Sequence, residues 1–424
     1  MTEKLLRMVR YITVLIVISI STTAFASEQR TAKSIFESWR SQVYQIRVID
    51  IASADKFSIG SGFLVSRQGH VATNFHVVSS YVHEPKKYRL ELVHDNGDTA
   101  PINLLAIDVI HDLAIAQVAG ISAKGLVLSK RLLQNGDRMF SMGNPHDLGM
   151  TVIEGNYNGF VQHVRHKQIL FSGSLNSGMS GGPAFNAAGE VIGVNVAKGG
   201  EQIGFLVPVE YLSALLSNMQ NQQGKDFEAV IAAALLADQQ QFFGAIVNKP
   251  VEQEVLEQIS IPVNMADTLK CWGHTEDKDD YLYKSIHQHC RSEDQIFISD
   301  RLIAGHFSYD YEWIATDELN AFQFYKAVQS RFRHTDLANS YDEEEVSDFA
   351  CHTERVDIAE HQWKISSCMR AYVKYPGLYD VSMVMASLDY SDKALVAKLG
   401  ASAISKDNAA RLIRYMMEHT QWSH

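Results

Sequence analysis

The sequence predicts two unlike halves joined by a connector. These are an all-β barrel or sandwich domain over residues 32–212, a helical connector over 213–262, and an α+β domain over 263–424. Three observations lead there. The first half breaks into short apolar runs separated by turn signals such as Asn96-Gly97-Asp98. Residues 209–247 space their apolar side chains as a helix does. Beyond residue 265 strand-like and helix-like runs alternate, and all four cysteines of the chain lie there.

The start of the chain reads differently from everything after it. Lys4, Arg7 and Arg10 precede the apolar run 11–20, and Ala24-Phe25-Ala26 follows it. A basic start, a short apolar core and an A-x-A end describe a secretory signal peptide over residues 1–26, with cleavage expected after Ala26. The apolar run is short for a bilayer, which takes roughly 20 residues to cross. No stable membrane span is expected after cleavage, and the location expected is periplasmic or secreted.

The strands of the first half follow in order at 42–49, 62–66, 70–72, 88–94, 104–107, 113–118, 152–153, 169–172, 191–196 and 203–207. Residues 209–221 and 226–247 are read as helices with Gln-rich exposed faces. Further on, 295–299, 305–314 and 379–387 are read as strands, and 317–332, 392–399 and 406–420 as helices. Aromatic side chains alternate along Phe307, Tyr309, Tyr311 and Trp313, as on one buried strand face, and Phe322, Phe324 and Tyr325 fall on a helix. Core packing explains both groups; a binding face is the alternative.

A formal charge of −11, with 46% hydrophobic and 21% charged residues, fits a globular chain. It lacks the basic footprint that nucleic acid or anionic lipid requires. In an exported protein the even cysteine set Cys271, Cys290, Cys351 and Cys368 favours two disulfides. Cys271–Cys290 and Cys351–Cys368 are the expected pairs, one of three connectivities that four cysteines allow. A competing zinc reading rests on Cys271 with His274 and His287 with Cys290, each pair two residues apart. No metal or cofactor is expected.

The chemistry concentrates in the first half. A serine hydroxyl is a poor nucleophile near neutral pH, so it needs a base within hydrogen-bond reach and a group to orient that base. Ser180 stands in the small-residue run Ser177-Gly-Met-Ser-Gly-Gly-Pro183, His76 ends an alternating segment, and Asp112 opens an apolar strand. The order His…Asp…Ser within one β-rich half is that of the chymotrypsin-type triad. Taken singly, the histidine could be an ordinary half-buried residue and the aspartate a turn or cap. Gly178 to Gly182 also satisfies G-x-S-x-G, but an α/β-hydrolase elbow needs a strand before it, a helix after it and a later histidine.

These segments carry a resemblance. "GSGFLVS…GHVATNFHVV", "HDLAIAQV", "SMGNPHDLGMTVIEGNYNG" and "SGMSGGPAFNAAGEVIGVNV" resemble, in order, four motifs of the trypsin-like serine proteases, and within them of the HtrA/Deg branch. The resemblance covers residues 32 to about 212. It implies a double β-barrel with the active site in the cleft between barrels. It implies Ser180 as nucleophile, His76 as general base, Asp112 as its orienting carboxylate, and the N–H groups of Gly178 and Ser180 as the oxyanion hole.

By the same resemblance the specificity pocket is built from Ser174, Val194, Asn195, Val196, Gly204, Phe205 and Leu206. None of these is acidic, which favours a small or medium apolar side chain. Met179 stands where that branch usually has Asn, so the loop is expected to be set differently. No later segment resembles a PDZ domain. The function implied is an exported serine endopeptidase acting on protein or peptide substrates, misfolded proteins among them, as a monomer or an oligomer. The alternative is a non-catalytic or chaperone-like binding protein on a protease scaffold.

Overall fold

The computed structural model describes residues 30–423 apart from 122, 132, 201, 278–281, 336 and 338–341; the signal-peptide reading over residues 1–26 lies outside the described residues. Helix α1 (Ala32–Trp39) is opened by a capping box between Thr31 and Ser34. Six strands then close the first barrel: β1 (Val43–Asp50), β2 (Lys56–Leu64), β3 (His70–Thr73), β4 (Tyr88–Val93), β5 (Thr99–Asp108) and β6 (Leu113–Val118). They pair antiparallel in the order β1-β2-β3-β6-β5-β4. Helix α2 (Phe75–His83) interrupts the series between β3 and β4. The sequence reading lacked it, because nine residues are too few to show a helical period against a β background.

The second barrel comprises β7 (Arg138–Gly143), β8 (Thr151–Phe160), β9 (Ile169–Phe171), β10 (Pro183–Asn186), β11 (Val191–Gly200) and β12 (Ile203–Pro208), closed in the order β10-β11-β12-β9-β8-β7. Closure leaves neither barrel an edge to pair. Phe140, Met142, Phe185 and Val194 fill the contact with the first barrel's Val43, Phe63 and Ile115. The segments that carry His76, Asp112 and Ser180 meet along that seam.

Helices α3 (Val209–Asn218) and α4 (Phe227–Asn248) follow, α4 capped by Asp226. The remainder of the expected helical connector is not helical. Strands β13 (Glu252–Leu256) and β14 (Ile259–Val263) form a hairpin there, completed by β24 (Gln421–Trp422) at the other end of the chain. Helix α4 is long and apolar enough to span a bilayer by length and composition alone. Here its two ends serve two cores, Ile231 and Leu235 packing with the first barrel and Phe243 and Ile246 with the C-terminal sheet.

The C-terminal half is built on a seven-stranded antiparallel sheet, β15-β16-β19-β23-β22-β21-β20. Its strands are β15 (Leu269–Glu276), β16 (Lys284–Ser292), β19 (Phe307–Ala315), β20 (Ala350–Ile358), β21 (His361–Ala371), β22 (Tyr379–Ser387) and β23 (Lys393–Ile404). A separate hairpin, β17 (Ile296–Ser299) and β18 (Leu302–Ala304), precedes β19. Helix α6 (Lys406–His419) packs Leu412 and Met416 on one face of the sheet, against Phe307, Tyr309, Tyr311 and Trp313. Helix α5 (Ala321–Arg331) packs Phe324 and Val328 on the other, while Phe322 stays exposed. The alternating aromatics are core.

One expected helix, 392–399, is instead most of β23. The run Ala-Leu-Val-Ala-Lys-Leu reads as helical, but the segment lies between β19 and β22 with both sheet faces covered, so its side chains are buried almost without interruption. A central strand of that kind loses the polar alternation by which strands are recognised. Both expected disulfide pairs are present, Cys271–Cys290 with 4.1 Å between Cα atoms and Cys351–Cys368 with 4.0 Å. Each bridges directly opposed residues and ties an edge strand, β15 or β20, to its inner neighbour.

Candidate active site

His76 sits in the first turn of α2, and Asp112 in the tight turn before β6. The aspartate does two jobs. Its Oδ1 accepts the backbone N–H of His76 at 2.8 Å, satisfying a free donor of the helix N-terminus, and its Oδ2 accepts His76 Nδ1–H at 2.7 Å. The cap and the orienting carboxylate, rival readings in the sequence, are therefore one residue. Asp112 holds φ +53, unusual for a side chain that is not glycine. Asn74, fully buried, keeps it there by donating its amide to the Asp112 carbonyl at 2.8 Å.

Burial is the largest influence on His76 and pushes its pKa down. The charge and hydrogen bond of Asp112, joined by the charge of Asp300, outweigh it, so the net shift is upward from 6.5. With Nδ1 donating to Asp112, Nε2 is left as the basic nitrogen facing the cleft.

Ser180 follows a type II turn over residues 176–179, in which Met179 N–H donates to the Asn176 carbonyl at 3.0 Å and Gly178 takes φ +92. The Ser177 carbonyl accepts from His146 N–H at 2.8 Å. A trans peptide opposes its C=O and N–H, so this bond turns the Gly178 N–H to the other side. Among the described residues neither the Gly178 nor the Ser180 N–H donates to a protein acceptor. A Cβ on Gly178 would lie 2.4 Å from the Asn144 carbonyl, which explains why the position carries none.

The turn is fastened from both barrels. Ser61 of β2, fully buried, donates its hydroxyl to the Gly178 carbonyl at 2.7 Å and accepts Asn144 N–H at 3.0 Å. Met179 is fully buried among Met139, Phe171, Leu175 and Ile192, so apolar packing sets the loop where the sequence departed from the expected asparagine. The 145–147 turn beside it is held to the first barrel by Asp147, which pairs with Lys56 and accepts from Gln45 at 2.7 Å.

The Ser180 hydroxyl donates to the Val196 carbonyl at 2.8 Å, and among the described residues it makes no bond to His76. The expected specificity pocket is only partly lined as read. Val194 and Leu206 point into barrel cores, because strand alternation turns them inward. Asn195 is buried, spending its amide on the Met142 and Met179 carbonyls and accepting from Ser141. Those three support the loop from behind. Val196 stays at the site, its carbonyl accepting from Ser180, while Ser174 is half-buried and Gly204 is buried against Leu175, where a Cβ would meet it at 2.8 Å.

A cavity of about 420 Å³ opens next to His76 and Asp112. It is bounded by Ile110 and Val196 of the barrels and, unforeseen from sequence, by Phe297 and Asp300 of the β17–β18 hairpin. Nothing local in the sequence links residue 297 to residue 76. Of the other residues missed, Asn74 alone carried a signal, as an N-cap residue type just before the helix. The zinc reading needs free thiolates, and the disulfides engage all four sulfurs. The same holds for His334, whose ring lies close to Cys351 and Cys368.

Two closed six-stranded barrels, with a His–Asp pair and a glycine-flanked serine at their seam, define a trypsin-like peptidase domain. Residues 60–194 match the family described as a trypsin-like peptidase domain. Within that class the domain is HtrA/Deg-like. It is 31% identical over 181 residues to serine protease HTRA3 of Homo sapiens, covering 40% of each chain. It is likewise 31% identical over 178 residues to mitochondrial serine protease HTRA2 of Drosophila ananassae, covering 40% of this chain and 41% of that one. The alignment thus spans about 40% of the length of these curated relatives. The structure is also similar to the serine endoprotease from Yersinia pestis, at 24% identity and a TM-score of 0.39 over 45% of this chain and 66% of that one.

Proposed function

We propose that the chain is an exported, periplasmic or secreted serine endopeptidase that cleaves protein substrates, misfolded ones included, through an acyl-enzyme on Ser180. The observation that carries this reading is His76 bonded through Nδ1 to Asp112 at 2.7 Å, beside a serine turn whose Gly178 and Ser180 N–H groups are free. Rotation of the Ser180 side chain exchanges its bond to the Val196 carbonyl for one to His76 Nε2. Such an exchange costs about 1 kcal/mol or less, because one hydrogen bond replaces another. His76 then takes the proton as Oγ attacks the scissile carbonyl. The oxyanion is met by the Gly178 and Ser180 N–H groups, each donor being typically worth roughly 3 kcal/mol of barrier. His76 passes its proton to the leaving amine, and water repeats the sequence to release the acyl group. The absence of Asp and Glu at the expected pocket positions favours a small or medium apolar side chain before the cleaved bond.

A second reading, a binding protein on a protease scaffold, draws on the resting Ser180 hydroxyl, which faces Val196 rather than His76. Treatment of the whole chain and its Ser180→Ala variant with a fluorophosphonate, followed by intact mass, separates the two. A single adduct on the wild type alone is expected. A folded wild type that takes no adduct favours the binding protein.

A further inference from the structure

We infer that the β17–β18 hairpin of the C-terminal half is a fixed wall of the substrate cleft, and that Phe297 and Asp300 on it form a subsite for a substrate lysine or arginine. The inference rests on the reading that a polypeptide occupies the cleft beside His76. Its first support is that the hairpin is seated. Ile296, Ile298, Leu302 and Ala304 share one buried core with Leu64, Phe75 and Val78 of the first barrel. His83 Nε2–H, at the end of α2, donates to the Ile298 carbonyl at 2.9 Å. A strand held by both core and backbone is part of the wall, so the C-terminal half contributes to a cleft that the barrels mainly form.

The second support is what the hairpin presents. The Phe297 ring stands edge-on to His76, with centroids 6.0 Å apart, and also against Phe75 at 6.5 Å. Asp300, in the connection after β17, lines the same cavity and is near enough to pull the His76 pKa upward. Its carboxylate is exposed and has no ion pair or hydrogen bond among the described residues.

Of the other charged groups of the cavity, Asp112 and the histidines are already engaged, and Lys167 rests on a ring with its charge kept. Asp112 holds His76, His111 bonds Asp108 at 2.7 Å, His166 lies 3.1 Å from Asp238, and Lys167 lies over the Phe160 ring at 5.6 Å. What remains is an apolar part of the lining, formed by Ile110, Val196 and Phe297, with the unpaired Asp300 carboxylate on the same cavity. A long aliphatic stem with a cationic head fits that combination, and an acidic side chain is repelled by it.

The test uses the full chain carrying Ser180→Ala and a positional-scanning library of labelled decapeptides, with binding read by anisotropy. One position is expected to favour Lys and Arg over norleucine. Adding Asp300→Asn should reduce that preference about fivefold, the upper range for a partly exposed ion pair. Adding Asp300→Lys should reverse it toward Glu and Asp, with unchanged melting temperatures showing that each variant is folded. Absence of any basic preference, or a preference that Asp300→Asn leaves intact, overturns the subsite. Fluorophosphonate labelling of the wild type reports separately on the enzyme reading. A basic preference without labelling keeps the subsite and removes the protease.

Discussion

Replacement of Ser61 by alanine tests how the oxyanion turn is held. The Ser61 hydroxyl is fully buried, 2.7 Å from the Gly178 carbonyl it donates to and 3.0 Å from the Asn144 nitrogen it accepts from. The variant leaves two backbone groups without partners and adds no bulk. Each such group costs about 1–3 kcal/mol when it cannot reach water, so a loss of about 2–6 kcal/mol is expected. The structure relieves that cost most readily by turning the Gly178–Met179 peptide, which breaks the Met179 N–H bond to the Asn176 carbonyl that closes the turn and so displaces the Gly178 N–H from the reacting carbonyl. Loss of one oxyanion donor lowers rate by roughly 100- to 1,000-fold. The assay is the second-order rate of fluorophosphonate labelling, followed by intact mass, with the melting temperature measured on the same sample. A fall of about 100-fold in labelling, with the chain still folded, is the expected result. Labelling within threefold of wild type together with a lower melting temperature refutes the argument, because Met179 and Asn195 then hold the turn without Ser61.

Two further outcomes follow from the ion pair and the disulfides. His76 is raised above 6.5, so the stability its Asp112 pair contributes is full below the unfolded value of about 6.5 and fades as pH rises through the folded value. Activity has the opposite sign, since the base must be neutral and turnover grows as pH passes the same value. Titration of the His76 ring by NMR in Ser180→Ala should give a midpoint above 6.5, falling below it once Asp112→Asn leaves burial opposed only by the smaller effect of Asp300; a midpoint at or below 6.5 in Ser180→Ala contradicts the pairing. Reduction should loosen the C-terminal sheet before the barrels, because the bridges close loops of 19 and 17 residues at its two edge strands. Each is worth about 3 kcal/mol in the chain-entropy account. Limited proteolysis with and without reductant reads this directly, and equal sensitivity of both halves argues against it.

Much of the first half was legible because its signals are local. Short alternating runs between turn residues marked most barrel strands, and three separate contexts put His76, Asp112 and Ser180 in a meaningful order. Legibility failed where burial removed the local signal. Strand β23 lost its alternation to layers on both faces, and α2 was too short to show a period. Val194, Asn195 and Leu206 were read as pocket from their place along the chain, whereas the side of the strand each faces is settled by the barrel.

By itself the sequence determined the β-rich first half and the composition of the candidate site, since strand patterns, caps and the residues of a nucleophile turn depend on near neighbours. It also favoured the correct cysteine pairing. Only the tertiary structure decided how Ser61 reaches Gly178, that Met179 anchors the turn by burial, that the Ser180 hydroxyl rests on Val196, and that Phe297 and Asp300 border His76. Several of those contacts are long-range, Ser61 lying 117 positions from Gly178 and Phe297 lying 221 from His76. They exist because separate apolar faces must be covered by one another, and no spacing within a single segment records which face covers which.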